Sequence, residues 1–89
     1  CLTAAAQVNG SEVTTVEGLA GDALAGKLRE SFLHHGAAQC GICTPGMMMA
    51  AVALLRETPR PTREQTEDAL GGVLCRCTGY AKIVEAVMK

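Results

Sequence analysis

A chain of 89 residues has room for one small domain, and a domain of that size buries only about 60 to 65% of the surface its unfolded chain exposes, so the core is thin. Apolar residues make up 48% of it, but they are mostly Ala, Val, Leu and Met, with Phe32 and Tyr80 the only aromatics; a domain so built needs a staple, and five cysteines are at hand. The net charge of −1, from 8 basic and 9 acidic residues spread along the chain, excludes the electrostatic footprint of a nucleic-acid or anionic-membrane binder, and no apolar run approaches the roughly 20 residues of a membrane span.

In chain order, Asn9-Gly10-Ser11 reads as a turn rather than a glycosylation site, and Glu12 to Val16 is a β-branched run expected to form a short strand or extended segment. From Asp22 to His35 the residues Leu24, Leu28 and Phe32 recur at helical spacing, and Gly36 follows as a C-cap. A second helix is predicted from Thr44 as N-cap with Pro45 at the first position, running to about Glu57 until Pro59-Arg60-Pro61 stops it. Thr62-Arg63-Glu64-Gln65 has the spacing of a capping box and opens a third, which ends near Gly71-Gly72. The fourth is predicted to follow Cys77, with Thr78 as N-cap and Tyr80, Ile83, Val84, Val87 and Met88 as its buried face. The fold class expected is all-α, a four-helix bundle.

Four of the cysteines fall in two tight pairs, Cys40-Gly-Ile-Cys43 and Cys75-Arg-Cys77, with 31 residues between them. On the predicted boundaries each pair lies immediately before a threonine-capped helix. Two converging helix starts would aim free backbone N–H groups and positive dipole ends at whatever the sulfurs hold, which favours an anionic occupant. A [2Fe-2S] core bound by four thiolates and a Zn(Cys)4 site carry the same formal charge, so charge does not separate them. The Cys-X-Cys half is less typical of structural zinc, and two disulfides fit poorly with an odd cysteine and no secretory leader. Spacing alone leaves iron-sulfur ahead of zinc with the choice open.

The flanking residues carry more. Gly36-Ala37-Ala38-Gln39-Cys40-Gly41-Ile42-Cys43-Thr44-Pro45-Gly46-Met47 and Leu74-Cys75-Arg76-Cys77-Thr78-Gly79-Tyr80 closely resemble the [2Fe-2S]-binding domain of the molybdenum hydroxylases, the family of xanthine dehydrogenase, aldehyde oxidoreductase and the aerobic carbon monoxide dehydrogenase small subunits. Val73 departs from it, standing where many members have asparagine, but it is not a ligand. The resemblance implies a helical domain over residues 19–89 with the cluster on Cys40, Cys43, Cys75 and Cys77 at two helix N-termini, and residues 1–18 as the tail of a preceding plant-type ferredoxin domain. Cys1, in Cys1-Leu2-Thr3, would be the last ligand of a second [2Fe-2S] cluster held by that domain. Gln39 and Cys77 would contact the molybdenum-pterin cofactor of a large partner subunit, and FAD on a further subunit or domain would take up the electrons. The role implied is electron transfer inside a cytoplasmic oxidoreductase, with a structural zinc module that docks onto a partner as the alternative.

Other features are read as structural. Met47, Met48 and Met49 are core and contact residues, because consecutive helical side chains point about 100° apart and do not converge on one ion. His34 and His35 are expected to cap carbonyls or face solvent, Gly41 and Gly46 to let backbone approach the cluster, and Arg76 to offset thiolate charge or bond a partner. The chain has no nucleophile elbow, phosphate loop or acid-base dyad, so it is expected to perform no bond chemistry itself.

Overall fold

The computed structural model describes residues 3–88, in which four helices follow two short 3-10 turns, Ala5–Val8 and Val16–Leu19. The helices are α1 (Ala23–His35), α2 (Thr44–Glu57), α3 (Arg63–Leu70) and α4 (Ala81–Met88), and among the described residues no strand forms. The β-branched segment before Val16 stays extended, with Val13 exposed, because a strand needs a neighbour to take its backbone hydrogen bonds and none lies beside it.

Chemistry at the helix ends explains the boundaries. Asp22 caps α1 by accepting from the N–H groups of Leu24 (2.9 Å) and Ala25 (3.3 Å), and its carboxylate also pairs with Arg56 near the end of α2. The Ala25 N–H, then the Arg56 guanidinium, hold the Asp22 carboxyl below its usual value. Gly36 ends α1 in the left-handed conformation, with φ 61°, which lets the Ala37 N–H reach back to the Phe32 carbonyl at 2.9 Å. Thr62 and Gln65 close a reciprocal capping box at the start of α3.

Two starts differ from expectation. Cys43, not Thr44, occupies the cap position of α2, and Thr44 is already helical, its hydroxyl buried and without a partner among the described residues. The fourth helix begins at Ala81 rather than directly after Cys77, because Gly79 and Tyr80 take left-handed backbone, φ 68° and 72°, which cannot continue a right-handed helix. Tyr80 and Met88 consequently sit at the exposed margin, while Ile83, Val84, Ala86 and Val87 form the buried face.

The core is built from small and aliphatic side chains: Ala25, Leu28 and Phe32 of α1, Met47, Met48, Ala51 and Val52 of α2, Leu70 of α3 and the buried face of α4. Leu19 joins it from the 3-10 turn that packs on α2. Helices α1 and α4 share the most extensive contact, pinned by a 2.6 Å hydrogen bond from the Ser31 hydroxyl to the Ala86 carbonyl. His35 donates through Nδ1 to the Ser31 carbonyl at 2.8 Å, the capping role expected of it. No helix among the described residues is long and apolar enough to cross a membrane.

Helices as short as α3 and α4 do not persist alone in water, so their stability comes from this shared core. Ile83→Ala, at a fully buried position, is expected to destabilise the domain by about 3 kcal/mol. Gly36→Ala should destabilise it by about 1 kcal/mol through the left-handed backbone. Urea denaturation of both variants, compared at constant slope, checks the two values.

Candidate metal centre

The two cysteine segments meet at one end of the bundle. The first leads into α2 through Gly41, whose φ of 83° turns the chain between Cys40 and Cys43. The second lies between α3 and α4, preceded by Val73, whose side chain seats on Gly46 in the first turn of α2. A Cβ at Gly46 would meet Val73 Cγ1 at 3.1 Å, so glycine lets the second segment lie close against the start of α2 without a shift of the Val73 side chain. Sequence reasoning assigned Gly46 to an approach to the cluster; the close approach it permits is to Val73.

The four sulfurs fall into an inner and an outer rank. Cys43 and Cys75 are half-buried and pack against the core, whereas Cys40 and Cys77 are exposed. The strongest electrostatic influence of one sulfur on another runs between Cys40 and Cys77 and between Cys43 and Cys75, so each pair draws one sulfur from each segment. Among the described residues no three Cys, His, Asp or Glu side chains close around a single ion. Two sulfur pairs suit a binuclear group, which takes two thiolates per iron, better than one tetrahedral ion.

The thiols are electrostatically unequal. Cys75 is drawn down to about 7, chiefly by the Thr78 hydroxyl at 3.1 Å, then by the backbone N–H groups of Thr78 and Cys77. The Ile42 N–H, followed by the Cys77 side chain, lowers Cys40. Burial raises Cys43, and the neighbouring Cys40 side chain raises Cys77. The donor set therefore combines four soft sulfurs, of which Cys40 and Cys75 are the more readily ionised, with a hydroxyl donor beside Cys75, a chemistry that suits an anionic iron-sulfur group. At the second segment these donors come from the turn Cys77 to Tyr80 and not from the first turn of α4, since three residues separate Cys77 from that helix.

Of the remaining residues singled out in the sequence, Gln39 is exposed beside Cys40, and Arg76 is exposed with no ion pair among the described residues. Cys1 lies outside the described residues. Sequence reasoning missed two features. Ile42 and Leu74, each next to a cysteine, are 86% and 84% exposed and give the site an apolar rim; a large aliphatic residue inside a ligand loop was the available signal. Tyr80, assigned to the core, instead accepts a 2.9 Å hydrogen bond from the Cys75 N–H.

Comparison with known proteins agrees with this geometry. The chain belongs to the [2Fe-2S] binding domain family, whose profile matches residues 15–88. It is 53% identical over 88 residues to the nicotine 6-hydroxylase small subunit of Paenarthrobacter nicotinovorans, covering 99% of this chain and 53% of that protein. It is 49% identical over 87 residues to the nicotinate dehydrogenase small FeS subunit of Eubacterium barkeri, covering 98% of this chain and 55% of that one. The crystal structure of quinoline 2-oxidoreductase from Pseudomonas putida 86 superimposes with a TM-score of 0.86 at 46% identity, over 100% of this chain and 55% of that chain. The chain thus spans about half the length of the curated relatives it matches. Two of these relatives are named as small subunits, one of them as a small FeS subunit, and this chain shares the [2Fe-2S] binding domain family with them.

In the metal-free protein at pH 7, Cys75 should be half ionised and a thiol at the ordinary value near 9 about one part in a hundred. The lower intrinsic nucleophilicity of the more acidic thiolate offsets about tenfold of that advantage. Iodoacetamide is therefore expected to label Cys75 about fivefold faster than Cys43 or Cys77, with the preference fading as pH rises towards 9. Peptide mapping after partial alkylation measures the order.

Proposed function

We propose that Cys40, Cys43, Cys75 and Cys77 hold a single [2Fe-2S] cluster and that the chain relays electrons one at a time inside a molybdenum-dependent hydroxylase. The observation that carries this is the meeting, at one end of the bundle, of two cysteine pairs from segments 31 residues apart, each sulfur rank taking one member from each segment. The cluster supplies one-electron chemistry between a molybdenum-pterin centre on the large partner and a second [2Fe-2S] cluster and FAD.

The residues of this chain bind, tune and shield. Cys43 and Cys75 anchor the group to the core, and Cys40 and Cys77 face outward towards the partner. Gln39 and Cys77 make the contact with the pterin, a role supported by their exposure at the same end of the bundle. The apolar rim of Ile42 and Leu74 supports the reading that a protein partner covers this end, because leaving such side chains in water is unfavourable. Cys1 is assigned to the second cluster, and residues 1–18 to the end of the ferredoxin-type domain that carries it. The names of the relatives, a nicotine hydroxylase, a nicotinate dehydrogenase and a quinoline oxidoreductase, favour a nitrogen heterocycle as substrate of the whole enzyme. Cytoplasmic residence follows from the need to keep four thiols reduced until iron arrives.

The alternative, a structural zinc module, predicts a colourless protein. The iron reading predicts absorption between 400 and 600 nm and an EPR signal after dithionite; a colourless protein with stoichiometric zinc sinks it. Cys40→Ser and Cys75→Ser should each abolish one EPR signal and remove two irons and two sulfides per chain. Because ligand binding and folding are linked in so small a core, both should also lower the unfolding temperature. Iron and sulfide analysis beside calorimetry tests this, and a Cys40→Ser/Cys75→Ser double variant that keeps its full iron content, every EPR signal and its unfolding temperature refutes it.

A further inference from the structure

Three residues separate Cys77 from α4, and their backbone is unusual. Gly79 and Tyr80 are consecutive left-handed residues, with φ 68° and 72°, and Tyr80 is the only non-glycine residue among those described with a positive φ. An L-residue in that region is strained and persists only where its surroundings over-determine it.

Here a closed circuit of hydrogen bonds does so. The Tyr80 N–H donates to Thr78 Oγ1 at 3.1 Å, Thr78 Oγ1 lies 3.1 Å from Cys75 Sγ, and the Cys75 N–H donates to the Tyr80 phenolic oxygen at 2.9 Å. The Tyr80 carbonyl then accepts from the Val84 N–H at 3.0 Å, which fastens the circuit to α4. The direction of the central bond follows from proton inventory. A cysteine sulfur bound to iron has no proton to give, and the Tyr80 N–H already occupies one lone pair of the Thr78 hydroxyl. The hydroxyl hydrogen is therefore turned towards Cys75 Sγ.

The geometry points to Thr78 as a positioning residue that sets the reduction potential of the group held by Cys75, with the strained Tyr80 backbone keeping its hydroxyl aimed at the sulfur. This rests on the reading of the four cysteines as cluster ligands. A donor directed at a thiolate draws charge from it and eases the gain of an electron, so the circuit raises the potential. When one electron enters from an external reductant the Thr78 hydroxyl keeps its proton, no covalent bond is made or broken, and the hydrogen bond shortens as negative charge grows on the sulfur. Cys75 is the ligand cysteine that a side-chain hydroxyl meets, and no side-chain hydroxyl bonds to Cys40, Cys43 or Cys77 among the described residues.

The test is a potentiometric titration of the complete purified enzyme, following the EPR signal that Cys40→Ser abolishes. Thr78→Val, which keeps the shape and removes the donor, is expected to disfavour reduction about tenfold, a fall of about 59 mV for one electron. Thr78→Ser should restore the wild-type value, and Tyr80→Phe should give a smaller fall together with a change in the visible circular dichroism of the cluster. A fully iron-loaded Thr78→Val enzyme with unchanged potential overturns the inference and leaves the ligand reading intact. A Cys40→Ser enzyme that keeps every EPR signal of the wild type overturns both. If Thr78→Val does not load iron, Tyr80→Phe decides: an unshifted potential and unaltered circular dichroism overturn the circuit.

Discussion

The structure depends on one constraint: two loops far apart in sequence must deliver their sulfurs to a common point. The contact that permits it is small. Val73 seats closely on Gly46, where a further methyl group would have to displace the Val73 side chain by a few tenths of an ångström, and the segment carrying Cys75 and Cys77 follows from that contact at the start of α2. Helices α3 and α4, eight residues each, then have to enter and leave that segment at fixed points. The linker Pro59-Arg60-Pro61, the capping box at Thr62 and the turn before Ala81 are the devices that fix them. A core made largely of Ala, Val, Leu and Met suits the task, because small side chains allow the close approach a metal staple imposes.

The sequence made the helical body legible where the signal was local. Asp22, Gly36 and the Thr62–Gln65 box act through atoms within three or four residues of themselves, so pattern and chemistry agree. The errors fall where a residue answers to something distant. Thr78 has the composition of a cap and accepts from the amide two residues on, but its hydroxyl also meets a sulfur three residues back, and left-handed backbone at Gly79 and Tyr80 delays the start of α4. Thr44 has the same composition and lies one position inside its helix. The β-branched run before Val16 has strand propensity and no partner, and propensity without a partner leaves an extended chain.

The candidate site was legible at the level of ligand type and not of rank. Cys-X2-Cys and Cys-X-Cys announce two thiolate pairs, but spacing cannot say that each spatial pair takes one member from each motif, nor that one rank is half-buried and the other open. Nor does spacing separate a binuclear group from a single ion. Flanking residues and the family match carry that distinction, and the two-by-two grouping of the thiols gives it a physical basis.

The exposure of Cys40 and Cys77 has a consequence for how such a protein comes to be made. With the outer sulfurs open and the inner pair only half-covered, the bundle need not unfold to admit iron and sulfide. The apolar rim of Ile42 and Leu74 works against delay, since it invites burial by whatever apolar surface arrives next. On the proposed function, assembly has a natural order: helices first, inorganic group second, partner subunit last, with the final step acting as the seal. A subunit that docked too early would shut the cysteines away empty, which makes the timing of delivery part of what this surface encodes.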